Sequence, residues 1–223
     1  MFFKFDSSKS IYKKDDLERR VFFQENIKNK IEKPALYLDR DGVIIEDLNF
    51  VRDPKDVYLC DGIKPLLKTA FEYNWHIVIV TNQSGIYRKY FSWDDYEAVN
   101  QKMIDLLEIP NPFSGIFACG ENPEDKASKY RKPSPEMILE LSRQLSLDLK
   151  KSILIGDRSS DLIAGSKANL KALFHVKTGH GSNERDAIKT MTNKSGKFIY
   201  ESKETPIYFL EDLNSFNYRF LNN

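Results

Sequence analysis

Two aspartates one residue apart close the apolar run Leu36-Tyr37-Leu38, and a glycine follows them, giving Asp39-Arg40-Asp41-Gly42. In an extended chain, residues i and i+2 project to the same side, so both carboxylates can reach one site. Like charges held this close repel, and a divalent cation is the simplest counterweight. The pattern repeats. The apolar run His76–Val80 ends in Thr81-Asn82-Gln83-Ser84-Gly85, and Ser152–Ile155 ends in Gly156-Asp157-Arg158-Ser159-Ser160-Asp161. Arg131-Lys132-Pro133 stands just ahead of a helix-like segment. Each word alone has a plain reading as a turn, a surface lysine or a helix-terminal charge. Together they put polar groups where successive strands stop, which is where open α/β sheets build their sites. An acid pair, a hydroxyl, a lysine and a second acid pair suit metal-assisted phosphoryl transfer.

The elements that must position these residues are legible from periodicity and punctuation. Strands are predicted at 35–39, 76–81, 115–119, 152–156 and 172–176, with 172–176 as the last parallel strand. Helices are predicted over 62–73, with Pro65 tolerated near the first turn; over 92–108, with Ser92 as N-cap and Asp95 three residues on; from Ser134-Pro135-Glu136 to about 146; and over 159–168. Strands alternating with helices imply right-handed crossovers and a parallel sheet. Leu17/Val21 and Ile27/Ile31 at i, i+4 predict a helix from Lys13 to Glu32. The chain divides into an extension over 1–33, a catalytic domain over 34–182 and a segment over 183–223 packed on that domain. The last holds a short helix and candidate strands at 198–200 and 207–210. His76 and His175 read as structural, and His180, in a Gly-flanked loop, as a surface histidine ahead of the alternative that it touches ligand.

With 223 residues, 41% hydrophobic and 30% charged, the chain can bury a core and is not disordered throughout. Its 34 basic and 33 acidic residues leave a net charge of +1, which argues against a nucleic-acid or membrane-surface binder. Two cysteines make no disulfide framework, and no stretch has the length of a membrane span, so a soluble, cytoplasmic protein is expected. The chain is read as a monomer, with residues 1–33 as the segment through which a dimer would form.

Over about residues 35–176, the ordered set resembles the four motifs of the haloacid dehalogenase superfamily of phosphohydrolases. The resemblance implies a Rossmannoid three-layer α/β/α sandwich with a mainly parallel sheet. It implies Asp39 as nucleophile, Asp41 as general acid and base, Thr81 as a phosphoryl ligand and Lys132 as the neutralising cation. It further implies Mg²⁺ held by Asp39, the Asp41 backbone carbonyl and Asp157, with Asp161 and Arg158 in support. Asn82, Gln83, Ser84 and Arg131 would bind substrate, Arg131 through a second phosphate or acidic group. The words Leu38-Asp39-Arg40-Asp41-Gly42, Thr81-Asn82-Gln83-Ser84-Gly85-Ile86 and Arg131-Lys132-Pro133 are similar to those of the subgroup of heptose 1,7-bisphosphate and histidinol-phosphate phosphatases. Asn49-Phe50-Val51 and Cys60-Asp61-Gly62-Ile63 lean to the heptose side, Gly156-Asp157-Arg158 to the histidinol side. The stretch from Asp41 to Thr81 leaves no room for a large cap domain. Where many relatives bind zinc, this chain has Cys119-Gly120-Glu121 and Ser128-Lys129-Tyr130, so no zinc is expected.

The expected activity is Mg²⁺-dependent hydrolysis of a phosphorylated sugar, at the C7 phosphate of a heptose 1,7-bisphosphate, in the supply of activated heptose for surface polysaccharide. Histidinol-phosphate phosphatase, polynucleotide 3′-phosphatase and a non-catalytic binding module on the same fold stand as alternatives.

Overall fold

The apolar runs become the inner strands of one sheet in the computed structural model, which describes residues 19–23, 32–109, 111–125 and 127–222. In chain order the elements are β1 (Arg19–Phe23), β2 (Ala35–Leu38), α1 (Ile63–Glu72), β3 (His76–Asn82), α2 (Ser84–Tyr87), α3 (Trp93–Leu107) and β4 (Phe113–Cys119). They continue with α4 (Glu136–Leu145), β5 (Ile153–Gly156), α5 (Ser159–Lys167), β6 (Ala172–Val176), α6 (Gly181–Thr190), β7 (Lys197–Tyr200) and β8 (Lys203–Leu210). The eight strands lie in the order β1-β4-β3-β2-β5-β6-β8-β7, parallel except for the edge strands β1 and β7.

Strand periodicity divides the core into two layers. Leu36, Leu38, Ile77, Ile79, Ile153 and Ile155 face α1 and α3, whose Leu66, Leu67, Val99 and Met103 meet them. Tyr37, Val78, Val80 and Leu154 face α4 and α5, where Met137, Leu141 and Leu162 close the other side. The result is a three-layer α/β/α sandwich. From the central β2 the chain builds outward through β3 and β4, then returns to β5 and builds the other way, so the crevice beside β2 is a topological switch point. Asp39, Thr81 and Asp157 stand there, at the carboxyl ends of three adjacent strands. Between Asp41 and Thr81 only a short 3₁₀ turn at Pro54–Asp56 and α1 intervene, which is no cap domain. Among the described residues, no helix is long and apolar enough to cross a membrane.

Two expectations need correcting. Arg19–Phe23, predicted within a helix, is a strand paired antiparallel with β4, from Arg19 opposite Cys119 to Phe23 opposite Gly115. Arg-Arg-Val-Phe-Phe carries β-branched and aromatic residues that suit a pleated surface, and β4 offers it an open edge. Residues 13–18 and 24–31 of the predicted helix lie outside the described residues, and Glu32 is not helical. The sheet also does not stop at β6: β8 pairs parallel with it, Leu173 opposite Ile207, and β7 turns back on β8 through Glu201 at a left-handed φ of 53°. Helix boundaries fall close to expectation. Ser92 and Asp95 form a full capping box on α3, whereas α4 starts one residue late, with Ser134 accepting from the Glu136 N–H at 3.3 Å.

Candidate active site

Asp39 follows the last residue of β2 and is pinned by its own N–H, which donates to Ile155 O at 3.2 Å. Its Oδ1 accepts the Arg40 N–H at 2.7 Å and lies 3.1 Å from Lys132 Nζ. Lys132 is 3% exposed, and its ammonium also meets Asp161 Oδ1 at 2.5 Å and donates to Val80 O at 2.8 Å. Burial works against that ammonium, but Asp161 and Asp39 together hold its pKa above the usual lysine value. Asp161 Oδ2 accepts the Arg158 N–H at 3.0 Å, so both of its oxygens are engaged by the protein.

Asp157, first past β5, accepts the His180 N–H on Oδ2 at 2.7 Å, while its Oδ1 is buried without a hydrogen-bond partner among the described residues. Gly42 and Gly179, both at positive φ, press against this carboxylate; a Cβ on Gly42 would stand 2.7 Å from Asp157 Oδ2. Carboxylate oxygens of Asp39, Asp157 and Asp161 lie within 4.8 Å of one another. One ammonium cannot neutralise three buried carboxylates. Burial, with Asp161 and Asp41 adding repulsion against the pull of Lys132, raises Asp39 to about 7. Burial, then Asp161 and Asp39, raises Asp157 to about 9. An orphaned buried oxygen in an all-oxygen, over-negative pocket fits a hard divalent cation such as Mg²⁺.

Several side chains behave otherwise than the sequence suggests. The Asp41 carboxylate turns from the acidic cluster into a fork: Arg40 Nη2 donates to Oδ1 and Oδ2, both at 3.0 Å, and Gln83 Nε2 to Oδ2 at 2.7 Å. Any part Asp41 plays at the cation is therefore left to its backbone carbonyl. Gln83 also donates to Thr81 Oγ1 at 2.8 Å and accepts from Arg40 at 3.1 Å, so its amide faces inward and positions Asp41 and Thr81 rather than a ligand. Asn82 bonds the Lys132 backbone at both ends, accepting its N–H at 3.0 Å and donating to its carbonyl at 3.1 Å. Thr81, buried and accepting from Gln83, keeps its own hydroxyl proton to donate.

Arg40 is the residue that motif reading passes over. It is 1% exposed, with Nη1 on Asn100 Oδ1 at 3.1 Å and its guanidinium 4.9 Å from the centre of the Tyr96 ring, both on α3. Replacing Arg40 with Met should destabilise the fold by about 3–5 kcal/mol, because it strands buried acceptors and leaves Asp41 unpaired. Thermal melting should show a fall of roughly 6–20 °C, and an unchanged melt would mean that the network does not hold the fold.

Around the acidic cluster opens a cavity of about 850 Å³ whose lining includes Ser84, Arg88, Arg131, Arg158 and His180. Arg131 Nη1 is buried with no hydrogen-bond partner among the described residues, and burial, with Arg158 and Arg88 nearby, lowers this guanidinium's pKa. Three guanidiniums on one cavity beside a lysine–carboxylate centre make a place for a second anion. His180 lies at the site rather than on a remote surface, with Nε2 2.9 Å from Asp47 Oδ2. Cys60 and Cys119 are buried free thiols, both pushed up to about 12 by burial.

The family model described as polynucleotide kinase 3 phosphatase matches residues 35–178. A D-glycero-alpha-D-manno-heptose-1,7-bisphosphate 7-phosphatase of Photorhabdus laumondii is 35% identical over 179 residues, covering 74% of this chain and 93% of its own. A D-glycero-beta-D-manno-heptose-1,7-bisphosphate 7-phosphatase of Mesorhizobium japonicum is 38% identical over 144 residues; the match covers 61% of this chain and 66%, just under two thirds, of that protein. Among solved structures, D,D-heptose 1,7-bisphosphate phosphatase from B. bronchiseptica, complexed with magnesium and phosphate, superposes with a TM-score of 0.68. It is 29% identical, with 82% of this chain and 94% of that one covered.

Proposed function

Since the chain belongs to the haloacid dehalogenase superfamily of phosphatases, in the subgroup of the heptose 1,7-bisphosphate and histidinol-phosphate enzymes, we propose that it removes the C7 phosphate of a D-glycero-D-manno-heptose 1,7-bisphosphate. The observation that carries the substrate is the second cationic pole: Arg88, Arg131 and Arg158 share one cavity with Asp39 and Lys132. A bisphosphate presents an anion to each pole, whereas a monophosphate such as histidinol phosphate leaves one guanidinium cluster facing nothing. A near-zero net charge counts against a polynucleotide, whose backbone calls for a basic excess along an extended groove.

In this reading Asp39 attacks phosphorus, forming the Asp39 O–P bond as the bond to the sugar C7 oxygen breaks. Asp41, aimed by Arg40 and Gln83, gives its proton to the departing oxygen and then takes one from the water that hydrolyses the aspartyl-phosphate. Thr81 donates to a phosphoryl oxygen, and Lys132 balances charge on Asp39 and the transferred group. Asp39, Asp157 and the Asp41 carbonyl would hold Mg²⁺, which would supply positive charge at the phosphoryl oxygens. Residues 34–182 carry this machinery; 183–223 complete the sheet that supports it.

Phosphate release from heptose 1,7-bisphosphate, histidinol phosphate and a 3′-phosphorylated oligonucleotide, each with Mg²⁺ or chelator, tests the reading. The bisphosphate should exceed the others by at least about 100-fold in kcat/KM, since losing one charge-assisted anion contact costs a few kcal/mol. Equal or better turnover of either competitor would refute the substrate assignment. Arg131→Ala should raise KM for the bisphosphate by about 10- to 100-fold.

A further inference from the structure

The loop over 120–131 carries Arg131, yet its described residues form no helix or strand. Phe117 of β4 and Ser134, which donates to the Lys129 carbonyl at 2.5 Å, hold its end, and β1 adds a further restraint. Successive residues of a strand project to opposite faces, so the two arginines of β1 diverge. Arg20 goes toward α3, where it lies 3.5 Å from Glu97 and 4.9 Å from the Trp93 ring centre. Arg19 goes toward the loop. Its guanidinium sits 4.1 Å from the centre of the Tyr130 ring, and that ring stacks on Phe117 of β4 at 5.1 Å and 24°. Arg19 Nε also lies 3.9 Å from Glu121 Oε1, and with these side chains 6% and 12% exposed the attraction is little screened. Glu121 in turn takes the Ser128 hydroxyl, and Ser128 Oγ accepts the backbone N–H of Arg131 at 3.1 Å.

We propose that Arg19 is a positioning residue: through Tyr130 and the Glu121–Ser128 pair it fixes the 120–131 loop, and so sets Arg131 against the second anion of the substrate. The part concerning Arg131 rests on the bisphosphate reading; the part concerning the loop does not. One planar cation does two jobs that a point charge divides. It stacks on an aromatic face and reaches a carboxylate from its edge. A strand paired at the sheet's edge thus makes the substrate pocket depend on a segment remote from the motifs.

Amide hydrogen exchange decides the matter, read peptide by peptide in the parent, Arg19→Ala, Arg19→Lys and Tyr130→Leu. Amides of 120–131 should exchange at least about tenfold faster in R19A and Y130L while β2, β3 and β5 stay protected. R19K should fall between, because it keeps the charge toward Glu121 and loses the stack. In the same R19A protein, KM for heptose 1,7-bisphosphate should rise about tenfold with kcat within about twofold, and kcat/KM for p-nitrophenyl phosphate should not move. Unaltered loop exchange in R19A and Y130L would overturn the proposal, as would an equal loss of kcat on both substrates. A loosened loop with bisphosphate KM unchanged in both R19A and R131A would uphold Arg19 as the anchor and remove the second-anion role of Arg131.

Discussion

Replacing Asp39 with Asn should lower kcat by about 10⁴-fold or more while the protein folds and melts no lower than the parent. The chemical half follows from what the carboxylate does. A carboxamide oxygen is a poor nucleophile, and taking away the attacking group of a covalent mechanism forfeits the two-step path, a loss of at least ~5.5 kcal/mol of barrier lowering. The structural half follows from what Asp39 costs. Burial holds its pKa near 7, and Asp161 and Asp41 repel its charge. Asn keeps an oxygen for the Arg40 N–H, now at 2.7 Å. It gives up an ion pair with Lys132, but that ammonium retains Asp161 at 2.5 Å and Val80 O at 2.8 Å. Single-turnover phosphate release beside a thermal melt reads both halves. Residual turnover above about 1% would place the nucleophile elsewhere, and the binding-module alternative would require the biological role to survive the substitution intact.

What the sequence showed well was local. The ends of β2, β3 and β5 were legible because apolar runs stop sharply at polar words, and α3 was legible from Ser92 and Asp95 because a capping box is a three-residue affair. What it hid depends on partners far along the chain. Thr81-Asn82-Gln83-Ser84 reads as a row of ligands, but Asn82 is claimed by Lys132 and Gln83 by Arg40 and Asp41. Arg40 looks like a spacer between aspartates until Asn100 and Tyr96 arrive on α3 to bury it. The Leu17/Val21 spacing pointed to a helix, and only the edge of β4 decides otherwise. His180 shows the same thing at the site, where its backbone N–H serves Asp157 and its ring meets Asp47.

From about pH 6.5 to about 9 the metal-free protein should lose stability, and Mg²⁺ should restore it. Below that window the buried His175, depressed to about 4, and His76, also depressed by burial, contribute stability as pH rises and oppose the aspartates. Asp39, at about 7, and Asp157, at about 9, both sit above the value of ~3.9 for an unfolded aspartate. Between those limits these carboxyls bind more protons in the folded state than in the unfolded one. For these two groups the derivative of unfolding free energy with pH is then negative. Their contribution is greatest at the acid end and falls until each carboxyl ionises in the folded state, near 7 for Asp39 and near 9 for Asp157. Lys132, raised above its ordinary value, titrates above this window and leaves the sign alone. A cation that binds the ionised carboxylates competes with those protons, so its affinity climbs through the same range. At 100 times its Kd, Mg²⁺ adds about 2.7 kcal/mol, or roughly 5–11 °C in Tm for a chain of this size. That increment should be nearly absent at pH 5 and still be growing at pH 9, where Asp157 ionises. Asp157→Asn removes the orphaned buried oxygen's charge, so it should raise the metal-free Tm at pH 8 and abolish most of the Mg²⁺ increment. Melts of both proteins from pH 5 to 9, with Mg²⁺ or chelator, measure all of this. A metal-free Tm that rises with pH in the parent relative to D157N, or an Mg²⁺ increment undiminished at pH 5, would show that these carboxylates do not form the cation's seat.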